Sequence, residues 1–237
     1  MRFGNTIQSL RGERAAIDRE GLIGTGLAFT AGFVDAAAFI ALAGLFTAHV
    51  TGNFVLIGAE LISTSVGVVA KVCALPAFVL AVAVTRLFAL ALERRGFAPL
   101  RYLLGFEALV LAAFGGFGAW LAPFASPDSL SAVSVGMLGV TAMGIQNAIG
   151  RLALGHLAAT TVMTVNVTQT VLDAVDLWRG NPGDGGQTRA RLRRMLPAVV
   201  AFAVGALAGA FGVAAWSFGC VAVPIVVLVG LIVLTDR

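Results

Sequence analysis

The sequence predicts an all-α polytopic membrane protein built from about six transmembrane helices and two short broken or re-entrant helices. Three observations carry that prediction. Of the 237 residues, 59% are hydrophobic and 12% charged, whereas a soluble domain is about 45–50% apolar and about 25% charged. The mean hydropathy is +0.95. Apolar runs of roughly the 17–25 residues needed to cross a bilayer recur along the chain, and a polar motif around Thr51 returns around Thr164.

Residues 1–21 are polar and of mixed charge, with Arg2, Arg11, Glu13, Arg14, Asp18, Arg19 and Glu20. They read as a short cytoplasmic tail with no evident cleavage site. The remainder, 22–237, reads as one transmembrane domain. Apolar runs cover about 22–46, 66–92, 100–122, 130–152, 195–216 and 218–234. Two segments are left over. Residues 50–63 are too short to span comfortably, and 157–178 are long enough but dense in Thr, Asn, Gln and Asp.

The net charge of +4 does not point to nucleic acid, because fifteen of the sixteen cations are Arg and most lie in connections. Arg94, Arg95 and Arg101 follow the second run, and Arg179, Arg189, Arg191, Arg193 and Arg194 fill the stretch 179–194. The 123–129 connection has no cation and one Asp128. The positive-inside rule therefore puts both termini, 93–101 and 179–194 in the cytoplasm. An even number of crossings must separate two cytoplasmic segments. Residues 50–63 should then enter and leave from outside, and 157–178 from inside. Three spans per half give two repeats, about 22–122 and 130–235, of opposite orientation. If both leftover segments cross fully, there are eight spans and the repeats are parallel.

The repeat is visible in the polar residues. Thr51-Gly52-Asn53 aligns with Thr164-Val165-Asn166, and seven residues beyond each Asn comes an acid, Glu60 or Asp173. Upstream, Gly32-Phe33-Val34-Asp35 aligns with Gly144-Ile145-Gln146-Asn147. Asp35 falls about mid-bilayer, where a lone charge costs about 2.5–3.5 kcal/mol on insertion scales. Asp35, Glu60 and Asp173 are the proton-coupling candidates. Thr and Asn at the breaks can cap a following half-helix and leave its amides free for a polar or anionic group. Asp35, His49, Thr51, Gly52, Asn53, Gln146, Asn147, Thr164, Asn166 and Thr168 are the solute-binding candidates. His49 has a bland alternative as a solvated or capping residue at the outer end of the first span.

Other polar residues read as structural. Arg86 and Glu107 lie inside their spans from the cytoplasmic end, where Arg86 can snorkel or pair with Glu107. Lys71 reads as a snorkelling anchor, and Trp120, Trp178 and Trp216 as interface anchors. His156 sits in a short turn and carries little. Residues 181–186 read as a turn, not a nucleotide cradle. Gly115, Gly116, Gly118, Gly205 and Gly209 read as close-packing positions. Cys73 and Cys220 have no Cys or His at ligand spacing, so no metal or cofactor is expected.

Gly32-Phe33-Val34-Asp35, with Phe46-Thr-Ala-His-Val-Thr-Gly-Asn53, resembles the YoaK family of small bacterial integral membrane proteins, a domain-of-unknown-function family. Gly144–Asn147 and the stretch 160–168 resemble that family's second motif. The resemblance spans about residues 20–235 and implies a multi-span protein of the bacterial inner membrane with no established substrate. Val165 departs from the pattern, which has a small residue there. The residues themselves point to a carrier of a small polar or anionic solute, coupled to protons, with a homodimer as its assembly. The alternative is a membrane scaffold whose polar residues only hold helices together. Catalysis is not expected, since no HExxH or GxSxG pattern accompanies His49 and the acids.

Overall fold

The computed structural model describes residues 2–62, 67–155, 159–180 and 185–235, with side chains from residue 19 onward. The described residues are helical or looped, with no strand among them. In chain order the helices are α1 (Arg2–Ala41), α2 (Gly52–Glu60), α3 (Val68–Arg94), α4 (Pro99–Leu121), α5 (Leu130–Leu152), α6 (Met163–Arg179), α7 (Gly185–Trp216) and α8 (Ala222–Thr235), with a 3₁₀ turn, Ser217–Val221, before α8. Five stretches are long and apolar enough to cross a membrane: Arg19–Ala41, Val68–Arg94, Pro99–Leu121, Leu130–Leu152 and Gly185–Thr235. The last, of 51 residues, holds α7, the turn and α8. This is the architecture of a multi-pass membrane protein.

Local chemistry sets several boundaries. Pro99 sits in the first turn of α4, where its missing N–H is no loss. Ser129 caps α5 by accepting from the Ala132 amide at 3.3 Å. The α3 N-terminus is capped from a distance. Asp128, just ahead of α5, accepts from the Gly67 and Val69 amides, both at 3.0 Å, and puts a carboxylate at the positive end of the helix.

Two boundaries differ from the sequence expectation. The apolar run 22–46 is not one helix, because α1 stops at Ala41. The Gly44 amide reaches back to the Phe39 carbonyl at 2.8 Å and Ala43 is left-handed with φ 50°, the geometry of a Schellman stop. The non-helical segment is therefore 42–51, and Thr51-Gly52-Asn53 begins a helix instead of breaking one. Residues 185–194, expected as loop, form the first turns of α7, since Arg and Ala are good helix formers. Of the expected turn 181–186, residues 181–184 lie outside the described residues, as does His156.

Packing fixes the helix directions. Phe29 and Phe33 of α1 meet Gly205 and Gly209 of α7, so these two run parallel. Leu231 near the end of α8 meets Gly26, so α8 returns antiparallel to α1. Gly136 at the start of α5 meets Leu42 and Leu45, while Gln146 near its end reaches Leu27, so α5 opposes α1. The α3 start lies at Asp128 and its middle, Ala81, at Gly144, so α3 runs with α5. Helix α4 opposes α5 and α8 through Phe114 against Gly139 and Gly115 against Val221. Helices α1, α4 and α7 thus point one way, and α3, α5 and α8 the other.

The tightest seam is α1 on α7. A Cβ on Gly32 would overlap the Phe202 carbonyl oxygen, one on Gly205 that of Phe29, and one on Gly209 that of Phe33. Backbones this close gain dispersion contacts that larger residues would exclude. Gly115 and Gly118 play the same part against Val221 and Phe218, but Gly116 faces open space. Gly205→Val should cost about 1–3 kcal/mol by forcing the seam apart. Gly116→Ala should be neutral to slightly stabilising. Thermal unfolding of the two variants in detergent checks this, and equal midpoints would contradict the packing.

Candidate functional site

Asp35 sits on the buried face of α1, two turns before its end, and is 5% exposed. Its Oδ1 accepts from the Thr47 amide at 2.7 Å, the Ala48 amide at 2.8 Å and the Thr47 hydroxyl at 3.1 Å. Its Oδ2 faces His49 Nδ1 at 2.8 Å. Every one of these partners belongs to the non-helical segment 42–51. A buried carboxylate with this many donors is satisfied, and the loop's otherwise orphaned amides are satisfied with it.

Asn53 completes the loop from its other end. Its Nδ2 donates to the Phe46 carbonyl at 2.9 Å and its Oδ1 accepts from the Phe46 amide at 3.0 Å. The side chain thus pairs with a backbone unit as a strand neighbour would. The expected capping of α2 is absent: Thr51 occupies the cap position with helical dihedrals and no side-chain bond. Asn53 is spent on Phe46, and Thr51 is exposed.

The second half repeats the clamp. Asn166 Nδ2 donates to the Ala159 carbonyl at 2.6 Å, seven residues back as in the first half. Gln146 does there what Asp35 does in the first loop. Its Nε2 donates to the Thr160 hydroxyl at 3.2 Å and to the Leu27 carbonyl at 2.8 Å, tying the loop to α5 and α1. Val165 has a packing reason. A Cβ at Gly52 would press the Phe46 ring at 3.0 Å, whereas the position matching Phe46 is Ala159, which leaves room for valine.

The outlying acids are paired. Glu60 meets Lys71 Nζ at 2.7 Å. Asp173 accepts from Arg191 Nε at 2.7 Å and Nη2 at 2.6 Å, and from Gln169 at 2.8 Å. Lys71 corrects the snorkelling expectation. It is 1% exposed and also donates to the Ala43 carbonyl at 2.8 Å, stapling the α1 stop to α3. The Arg86–Glu107 pair does not form either. Arg86 lies 3.6 Å from Glu93, one heptad along its own helix and nearer the end, where water is available.

The candidates gather around two cavities rather than one. Asp35, His49, Thr51 and Gly52 line a cavity of about 570 Å³ with Phe39, Phe46, Phe202 and Ala206. Asn147, Thr160 and Thr161 line a second of about 70 Å³. Leu27 and Asp35, which anchor the two loops on α1, are eight residues apart, about 12 Å along the helix. Phe202 spans the gap: its ring is 5.6 Å from His49, and it packs on the Ala28–Met163–Ala198 cluster at the start of α6. Thr164 and Thr168 join neither cavity. Both are exposed, and the Thr168 hydroxyl bonds the Thr164 carbonyl in its own helix.

A family model described as "Protein of unknown function (DUF1275)" matches residues 23–234. The chain belongs to this family. YoaK-like proteins belong to it too, in agreement with the motifs at 32–53 and 144–168. No curated protein and no solved structure matches the chain. The residues therefore have to supply the functional reading.

His49 is the titratable group that bridges loop and cavity. Its hydrogen bond to Asp35 raises its pKa above the ordinary 6.5, burial opposes, and the Asp35 charge adds to the rise. A folded-state pKa above the unfolded one stabilises fully below the unfolded value and fades as pH climbs through the folded value. The gap in thermal stability between the wild type and His49→Gln should therefore be widest below pH 6.5 and close toward alkaline pH. A gap constant across that range would contradict a charged pair.

Proposed function

We propose that the chain is a proton-coupled carrier of a small polar or anionic solute in the bacterial inner membrane. The observation that carries the proposal is the Asp35–His49 pair on the wall of a cavity of about 570 Å³. A carboxylate–imidazole pair can take up or release a proton as a solute enters. The loop beside it, 42–51, is irregular backbone, which membrane proteins tolerate where it lines a cavity or is buried in protein.

In this reading the 51-residue apolar stretch turns back at Ser217–Val221, which makes six crossings with both termini in the cytoplasm. Helix α2 re-enters from outside and α6 from inside. Three features support two inverted repeats, 22–122 and 130–235. The alternation of helix directions is that of a chain whose halves are related by an axis in the membrane plane. Helix α1 packs on α7 as α3 packs on α5, and α2 on α3 as α6 on α7. Each half also carries, seven residues beyond its Asn, an acid paired to a base on the next helix, Glu60–Lys71 and Asp173–Arg191. Paired in this way, Glu60 and Asp173 serve as anchors, and His49, held by Asp35 on the cavity wall, is the proton-exchanging group. Six crossings are few for a complete carrier, and a homodimer is the assembly that goes with the proposal.

The scaffold reading draws on one observation: the polar atoms of Asp35 and Asn53 all have partners within the chain. Flux separates the two readings. Proteoliposomes of the wild type, loaded with a pH-sensitive dye, should acidify or alkalinise when offered one of a panel of monocarboxylates, inorganic anions and amino acids. Asp35→Asn and His49→Gln should fall to the level of empty liposomes. His49→Gln guards against misfolding, because it leaves the backbone bonds of Asp35 intact. No response to any solute, or an undiminished response in both variants, would favour the scaffold.

A further inference from the structure

Helix α4 carries a carboxyl group that no pairing above absorbs. Glu107 is fully buried, and among the described residues neither of its oxygens has a hydrogen-bond partner. It lies eight residues into α4, about 12 Å along an axis of roughly 34 Å. An ionised carboxylate so placed would cost several kcal/mol.

The register of α4 and α5 identifies what it faces. Phe114 of α4 touches Gly139 of α5, and the helices are antiparallel. Glu107 is one heptad before Phe114 and Gln146 one heptad after Gly139, so the two stand at the same level on facing stripes. Gln146 is fully buried, and its Oε1 has no partner, although its Nε2 is spent on Leu27 and Thr160. Thr30, one turn from Leu27 on α1, adds a third buried group without a partner. Among the described residues this layer therefore holds three unpartnered acceptors, the two Glu107 oxygens and Gln146 Oε1, against one unpartnered donor, the Thr30 hydroxyl. One proton on Glu107 would supply a second donor, and Gln146 Oε1 is an unpartnered acceptor at its level.

Among the described residues nothing else at this level would neutralise Glu107. Helix α8 has no titratable side chain, and the 3₁₀ turn has only Cys220. On α5 the one charge is Arg151, five residues past Gln146. Helix α3 offers Cys73, Lys71 held by Glu60, Arg86 beside Glu93, and Arg94 at its end. Within α4, Arg101 and Tyr102 lie in the first turn and are exposed.

We propose that Glu107, with Gln146 and Thr30, is an intramembrane proton-binding site, a second station beside the Asp35–His49 pair on the path of the coupling proton. Gln146 links it to the second cavity, since its partner Thr160 lines that space with Asn147 and Arg151. The coupling role rests on the carrier reading. Proton occupancy of Glu107 does not.

Infrared spectroscopy of the reconstituted protein tests occupancy directly. A carboxylic-acid C=O band should be present at neutral pH, vanish in Glu107→Gln, and move to higher frequency in Gln146→Leu, which removes the acceptor and keeps the acid. A spectrum with no such band, or one unchanged in Glu107→Gln, overturns the site. Should Glu107→Gln fail to fold, the Gln146→Leu shift decides. Loss of the band on adding sodium at fixed pH would make it a cation site and also overturn the proposal. In dye-loaded proteoliposomes, Glu107→Gln should abolish solute-driven proton movement and keep solute exchange at equal pH. Persistent proton movement overturns the coupling role. If the wild type moves no solute at all, the carrier reading fails and the infrared band still decides occupancy.

Discussion

Asp35 is the constraint on which the first half depends. A helix that stops at Ala41 inside an apolar stretch leaves carbonyls and amides with no water to satisfy them, and each would cost several kcal/mol. One carboxylate takes the loop's amides at Thr47 and Ala48, and Lys71 takes the carbonyl at Ala43. The loop is thereby held against α1 in one conformation. Its apolar residues, such as Leu45 and Val50, are then free to pack into the core. The charge that would be a liability in a continuous helix is what makes the break tolerable.

The same economy appears wherever charge is buried. Buried Lys71 pairs with the mostly buried Glu60, buried Asp173 pairs with the more exposed Arg191, and each pair ties α2 or α6 to the long helix that follows. Breaking such a pair leaves a lone buried charge, which is far more costly than never having had the pair. Glu107 stands outside this pattern, with neither base nor amide to meet it among the described residues. That contrast, not its burial alone, singles it out.

Much of this was legible in the sequence. Helices α4 and α5 lie where the apolar runs 100–122 and 130–152 put them. Asn53 and Asn166, aligned in the sequence, each clamp a carbonyl seven residues back. The end of α1 was not legible. The left-handed position that usually shows a glycine is occupied by Ala43, so the run reads as unbroken helix. The role of the triplet is hidden for a related reason. Asn53 looks like a cap when only its neighbours in sequence are known, and its true partner is fixed by the fold of 42–51. Lys71 near a span end resembles a snorkelling residue until Glu60 and Ala43 are brought beside it. Nothing local could have separated Glu107 from Arg86, since their separation depends on the register of α3 against α4.

The central claim is that the break between α1 and α2 and the break between α5 and α6 are equivalent and open to opposite sides of the membrane. Sidedness of labelling tests it most directly. Thr51 and Thr164 are both exposed. With Cys73 and Cys220 replaced by alanine, cysteine is placed at one of the two positions at a time and challenged with a membrane-impermeant maleimide. Thr51→Cys should label in intact cells and be protected in inverted vesicles, and Thr164→Cys should do the reverse. Labelling of both from the same side would contradict the inverted arrangement and the carrier built on it.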